Sequence, residues 1–115
     1  MRTFACLALA ALLPLSAHAA PARTWSTSGA ELLQTLRGQL RDGSAMPEAG
    51  TAQARQRAQA YVMGIADGLA AQGKCDATGV LPHEQAARVF EALQALPAER
   101  LQGPAAPLVA AALAC

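Results

Sequence analysis

Leucines recur at helical spacing soon after residue 28. Leu32, Leu33, Leu36 and Leu40 form one apolar stripe, which predicts a first helix from about Gly29 to Arg41. Ser28 stands as its N-cap, and Glu31 three positions on completes a capping box. The next stretch, Asp42 to Gly50 (DGSAMPEAG), is polar, holds Gly and Pro, and reads as a loop. A second helix is predicted from about Thr51 to Gln72, with Tyr61, Ile65 and Leu69 on one face, Val62 beside them, and Ala60, Gly64 and Gly68 on another. Glycine inside a helix costs about 1 kcal/mol relative to alanine. Two glycines one turn apart therefore lead us to expect another backbone passing close to them. Gly73 to Pro82 (GKCDATGVLP) is a second loop. Pro82 opens a third helix, whose stripe is Ala86, Val89, Phe90, Leu93 and Leu96, and Pro97 ends it. Pro104 opens a fourth helix, with Pro107 still inside the first turn, and Leu108, Val109, Ala112 and Leu113 bury one face. No stretch alternates with period two for long. The expectation is an all-α fold, a small bundle of about four helices, with no internal repeat and no second domain.

The N-terminus changes this picture by setting the compartment. MRTFACLALAALLPLSAHAA carries one basic residue, Arg2, then an apolar run from Phe4 to Leu15, then Ala17-His18-Ala19. This is the layout of a secretory signal peptide cut after a small-x-small site, and the run is too short to span a bilayer. Residues 1–19 are expected to leave on export, and 20–115 to form a single domain in the periplasm. Cys6 leaves with the signal, so Cys75 and Cys115 remain. Two cysteines in an exported chain read as one disulfide, which would staple the bundle and tie down its last residue. The ring it closes is about 41 residues, for which the chain-entropy estimate is roughly 4 kcal/mol.

Charge and composition mainly exclude. Nine basic residues face eight acidic ones, and loss of Arg2 leaves the exported part balanced. Nothing favours nucleic acid or an anionic membrane surface. The Gly-xxx-Gly spacing of the second helix is a membrane signal only inside an apolar 20-mer, and Arg55, Arg57 and Asp67 break that context, so no stable membrane insertion is expected after cleavage. Asp67 reads as a solvated helix charge, the alternative being a carboxylate that accepts from a neighbouring helix end. His83 is the one histidine after the signal, and HEQAAR lacks the second histidine of a zinc-protease motif, having Ala87 and Arg88 there. His83 and Glu84 are more simply first-turn residues, where Glu complements the helix dipole. There is no G-x-S-x-G, no phosphate-cradling glycine loop and no CxxCH. No enzyme, cofactor or metal is expected. The remaining chemistry is surface chemistry, and a small neutral helical domain outside the cytoplasm most often binds another protein.

The order of these features resembles the Rap/Tai family of type VI secretion immunity proteins. The resemblance runs over about Ser28 to Cys115. It rests on Tyr61, Gly64 and Asp67 in a Y-x-x-G-x-x-D arrangement, the Cys75 loop leading to Pro82, the Leu96-Pro97 helix end, and Cys115 after a small apolar helix. Family members look as if they carry two further cysteines, near Leu36 and Ala58 here, and this chain has apolar residues at both. The resemblance implies inhibition by binding, with a cell-wall-degrading effector as the partner, a peptidoglycan amidase in particular, and a homodimer. Two loops are candidates to meet that partner, through Asp42, Ser44 and Glu48 in one and Asp76 and Thr78 in the other. The alternative is a small periplasmic chaperone or stress protein of similar fold. Such proteins are also stapled by one disulfide, but are richer in charge and in exposed apolar residues.

Overall fold

The structure, a computed structural model, describes residues 26–75 and 79–114. Five helices stand in the order α1 (Gly29–Arg37), α2 (Glu48–Ala71), α3 (Pro82–Gln94), α4 (Ala98–Leu101) and α5 (Ala105–Leu113). Among the described residues there is no strand, only two isolated bridges, Ser28 with Pro104 and Gln39 with Ala45. The all-α expectation holds, with the single turn α4 added between the third and fourth long helices.

Local chemistry sets the helix ends. Ser28 Oγ accepts the backbone N–H of Glu31 at 3.1 Å, and Glu31 Oε2 accepts the N–H of Ser28 at 3.0 Å, so the expected capping box is formed. The first helix ends at Arg37 rather than near Arg41. Gly38 adopts φ 71°, the left-handed conformation that terminates helices, and the Gln39 N–H closes on the Gln34 carbonyl at 2.9 Å. The leucine stripe runs past this stop, so Leu40 falls outside the helix and is 43% exposed.

Prolines mark the other starts. Pro47, Pro97 and Pro104 occupy N-cap positions with extended ψ, and Pro82 lies in the first turn of α3. A proline has no N–H to leave unpaired there, and its φ is already near the helical value. Pro47 moves the start of α2 back to Glu48. Glu48 is therefore a first-turn helix residue, where its carboxylate suits the dipole, and not part of a loop.

The core joins α1, α2, α3 and α5. Its fully buried large side chains are Val62, Val89, Leu93 and Val109, joined by Leu32, Leu33, Leu113 and a set of buried alanines. The buried line of α2 is Ala54, Ala58, Val62 and Ala66, at i, i+4, i+8 and i+12. Tyr61, Ile65 and Leu69, which share one face in the sequence pattern, flank that line partly buried. Leu36 packs against the cluster and Ala58 is inside it, so both positions where the resemblance places extra cysteines are filled by apolar packing.

The expected close approach of a backbone to Gly64 and Gly68 is not observed. A β-carbon built at either meets nothing among the described residues within 4 Å, and Gly64 is exposed. The tight crossing is at Gly29 instead. A β-carbon there would lie 2.6 Å from Leu108 Cδ1, 3.2 Å from the Leu101 carbonyl oxygen and 3.3 Å from Leu101 Cα. Two backbone bonds enforce the crossing: Gly29 N–H to Gly103 O at 3.0 Å, and Ala105 N–H to Thr27 O at 2.8 Å.

The two glycine environments give opposite expectations. Gly29→Ala should destabilise by about 1–3 kcal/mol, because Leu108 can turn aside but the Leu101 backbone cannot. Gly64→Ala should stabilise by about 0.5–1 kcal/mol, as an open mid-helix position. Urea midpoints at constant m-value measure both, and a stable Gly29→Ala would refute the crossing.

Candidate functional site

The segment expected to be a polar loop after the first helix is a structured turn. Leu40 N–H bonds Ser44 O at 2.8 Å, Gly43 N–H bonds Leu40 O at 2.9 Å, and Met46 N–H bonds Gly38 O at 2.9 Å. Asp42 and Ser44 are brought together at its tip. Asp42 Oδ1 accepts the Ser44 hydroxyl at 2.6 Å and the Ser44 backbone N–H at 2.9 Å. The hydroxyl first, and the backbone N–H after it, hold the Asp42 carboxyl below its ordinary value of 3.8. Arg41 fastens the turn to α1 by an ion pair with Glu31, 2.7 Å long, and the Gln34 amide donates to the Arg41 carbonyl at 3.4 Å. Arg41 is 88% exposed, so the pair contributes only about 0–1 kcal/mol. Glu31 thus serves two partners, the N-cap through Oε2 and Arg41 through Oε1.

The second candidate loop is described only at its margins. Asp76, Thr78 and Cys115 lie outside the described residues. Cys75 is described, and its Sγ lies 3.1 Å from the carbonyl oxygen of Leu113. The two candidate loops attach at opposite ends of α2. That helix has 24 residues, hence an axis of about 36 Å.

The Y-x-x-G-x-x-D residues do not share a face. Each three-residue step rotates about 60° short of a full turn, so the trio winds across the helix. Tyr61 is partly buried against the core, while Gly64 and Asp67 are exposed. Burial raises the Tyr61 phenol above its ordinary value. Pro82 and Pro97 act as helix starters. Pro97 is the N-cap of α4, two residues beyond Ala95, where α3 is capped.

Open depressions among the described residues include three. Two adjoin one another, sharing Thr27, Thr35 and Met46, between α1, the 38–46 turn and α2. The third, about 190 Å³, has a floor of Leu36, Ala86, Ala87 and Phe90. Its rim is Arg55, Gln59 and His83. This groove is not legible in the sequence, because its residues come from three helices and none matches a motif. His83 is a first-turn residue of α3, as expected. The neighbouring Glu84 reaches back to the Leu81 N–H at 3.0 Å, half of a capping box on a residue with no side-chain acceptor.

Among the described residues, no group of three or more His, Cys, Asp or Glu is placed to hold a metal ion, and no helix is long and apolar enough to cross a membrane. The arrangement is that of a small helical scaffold displaying turns and shallow depressions. The chain belongs to the Rap1a immunity protein family, whose model matches residues 28–115, the span over which the sequence resemblance was drawn. It is accordingly of the type VI effector immunity class. No curated protein matches the chain.

The Asp42 geometry carries a pH expectation. A carboxyl held low stabilises the turn above its unfolded value and loses that contribution as pH falls through its folded one. Ser44→Ala should move the Asp42 midpoint up towards 3.8. Carboxyl-carbon NMR titration of both proteins reads this, and an unmoved midpoint would show that the hydroxyl bond is not made.

Proposed function

We propose that this protein is a periplasmic immunity protein that binds a cell-wall-degrading type VI effector, a peptidoglycan amidase, and blocks its active-site groove. The observation that carries the reading is the family match over 28–115. The architecture supports it. A core closed by small residues gives a stiff frame, and its exposed turn is ordered by its own hydrogen bonds, so little entropy is lost when a partner is met. Inhibition here is by occupancy, with no catalytic step. In this reading residues 1–19 direct export and are removed, 20–115 form the working domain, and two copies pair. Asp42 and Ser44 face the effector, with Asp76 and Thr78 as the second candidate contacts. Glu48 is set aside as a helix-start residue.

The reading includes the Cys75–Cys115 disulfide. Its support is the place of Cys75 beside Leu113, two residues before the chain's final cysteine. Protein purified from the periplasm should begin near Ala20 and show no free thiol before reduction. Cys75→Ser, Cys115→Ser and the double change should lose the same stability, since each removes one shared bond. A thiol signal from the native protein, or additive losses, would remove this account.

The functional test is affinity capture of the periplasmic protein against secreted proteins of the same strain and its neighbours, read by mass spectrometry. Recovery of one cell-wall amidase, bound at nanomolar Kd with its activity lost, is the expected result. Recovery of many unrelated clients, with dye-binding surface exposed on acidification, would overturn it in favour of a chaperone.

A further inference from the structure

The depression between α1 and α2 that reaches Tyr61 has a volume of about 290 Å³. Its floor is the core itself: Leu32, Ala54 and Ala58 line it, and they are only 2%, 2% and 3% exposed. Ala54 and Ala58 stand one turn apart on one face of α2, so two small residues together leave a notch in the seam with α1. Half-buried Met46 and Tyr61 also line it, with exposed Arg57. Thr35 supplies its polar group. The Thr35 hydroxyl donates to the Glu31 carbonyl at 2.8 Å and keeps its lone pairs to accept from one further donor.

The chain enters the described fold at this notch. Thr27 lines it, and Thr27 is held in place by its carbonyl, which accepts the Ala105 N–H at 2.8 Å. Two positions earlier stands Trp25, the one tryptophan of the chain, outside the described residues. Two residues span at most about 7 Å, so the Trp25 backbone cannot leave the neighbourhood of the notch. A side chain tethered so closely acts at an effective concentration of about millimolar, against which a segment of any other molecule must compete.

We propose that this notch is the seat of Trp25, and that the residues before Ser26 form a strap over α1 and α2. The indole has an apolar body and a single N–H donor, and the notch offers an apolar floor and one open acceptor, Thr35 Oγ1. The ring covers Ala54 and Ala58, against the thioether of Met46. None of Ala20, Pro21, Ala22, Arg23 and Thr24 is both large and apolar, so Trp25 is the anchor of its segment. The seated ring braces Met46, whose N–H bonds the Gly38 carbonyl at 2.9 Å and so closes the turn that carries Asp42 and Ser44. The inference goes beyond the immunity reading and does not depend on it. It holds whether or not residues 1–19 are removed, because Trp25 is equally near Thr27 in both forms.

With one tryptophan in the chain, intrinsic fluorescence of the protein expressed with its own leader reads residue 25 alone. Emission should lie at shorter wavelength than that of N-acetyltryptophanamide, and acrylamide quenching should be about threefold weaker, as for a ring largely withdrawn from water. Both should be independent of protein concentration. Nuclear Overhauser contacts should run from the indole protons to the methyl groups of Met46, Ala54 and Ala58. Met46→Ala, at a half-buried position outside the core cluster, should raise quenching about twofold with the far-ultraviolet dichroism unchanged. Should that variant not fold, the contacts in the parent protein decide alone. Emission and quenching equal to those of the free amide would overturn the proposal. So would indole contacts to Leu36, Ala87 and Phe90 in the other groove, or contacts found only between isotope-labelled and unlabelled molecules, which would make the occupant a second copy's tryptophan.

Discussion

Everything in this fold hangs on a reciprocal pair of backbone hydrogen bonds across one glycine. Gly29 donates to Gly103, and Ala105 donates to Thr27. Both donors belong to first-turn residues of helices, which have no partner inside their own helix. Each helix start therefore satisfies the other's, and α1 and α5, the outermost long helices in sequence, are locked start to start. The lock brings Leu108 and the Leu101 backbone so near that even a β-carbon would crowd them, hence a buried glycine at position 29. Once these ends are fixed, α2 and α3 must close the core between them, and the space left is narrow. Alanines at 54, 58, 66, 86 and 105 are the sizes that fit. The few larger residues, Val62, Val89, Leu93 and Val109, then carry most of the buried apolar surface at about 1.5–3 kcal/mol each.

That economy explains what could and could not be read from the chain. Stripes built of leucine, valine and phenylalanine announce themselves, so the first, third and last helices were legible together with their capping and proline starts. The second helix was visible as a helix but not in its orientation. Ala54, Ala58 and Ala66 are buried, whereas Ala52, Ala60 and Ala70 are exposed, and nothing in the residue type tells them apart. The apolar pattern then points to Tyr61, Ile65 and Leu69, which are neighbours of the true inner line. The same ambiguity misplaced the close crossing. Glycines one turn apart inside a helix look like a packing device, whereas a lone glycine after a serine cap looks like a helix start. Only the path of α4, a turn too short to show periodicity, brings Leu101 over Gly29. The end of α1 was missed for a related reason, because the leucine spacing continues through a backbone stop.

The site was less legible than the fold. Asp42 and Ser44 read in the sequence as polar loop residues, and the structure gives them a mutual bond and an ordered turn. In the sequence Glu48 reads as part of the same loop because a proline precedes it, whereas that proline is the N-cap and Glu48 opens α2. The groove went unseen because Leu36, Arg55, His83 and Phe90 are far apart in the chain and individually ordinary.

Inhibition by occupancy, as proposed above, would need a surface that keeps its shape when the partner leaves. In this protein that requirement falls on the backbone more than on side chains. The 38–46 turn is held by its own amides and carbonyls, and the depressions are walled by helices whose spacing the buried alanines and valines set. Such a frame tolerates change at the turn. Asp42 and Ser44 are exposed, so neither of them is required by the core. Specificity for a partner can therefore be rewritten at these positions while Gly29 and the fully buried valines stay fixed.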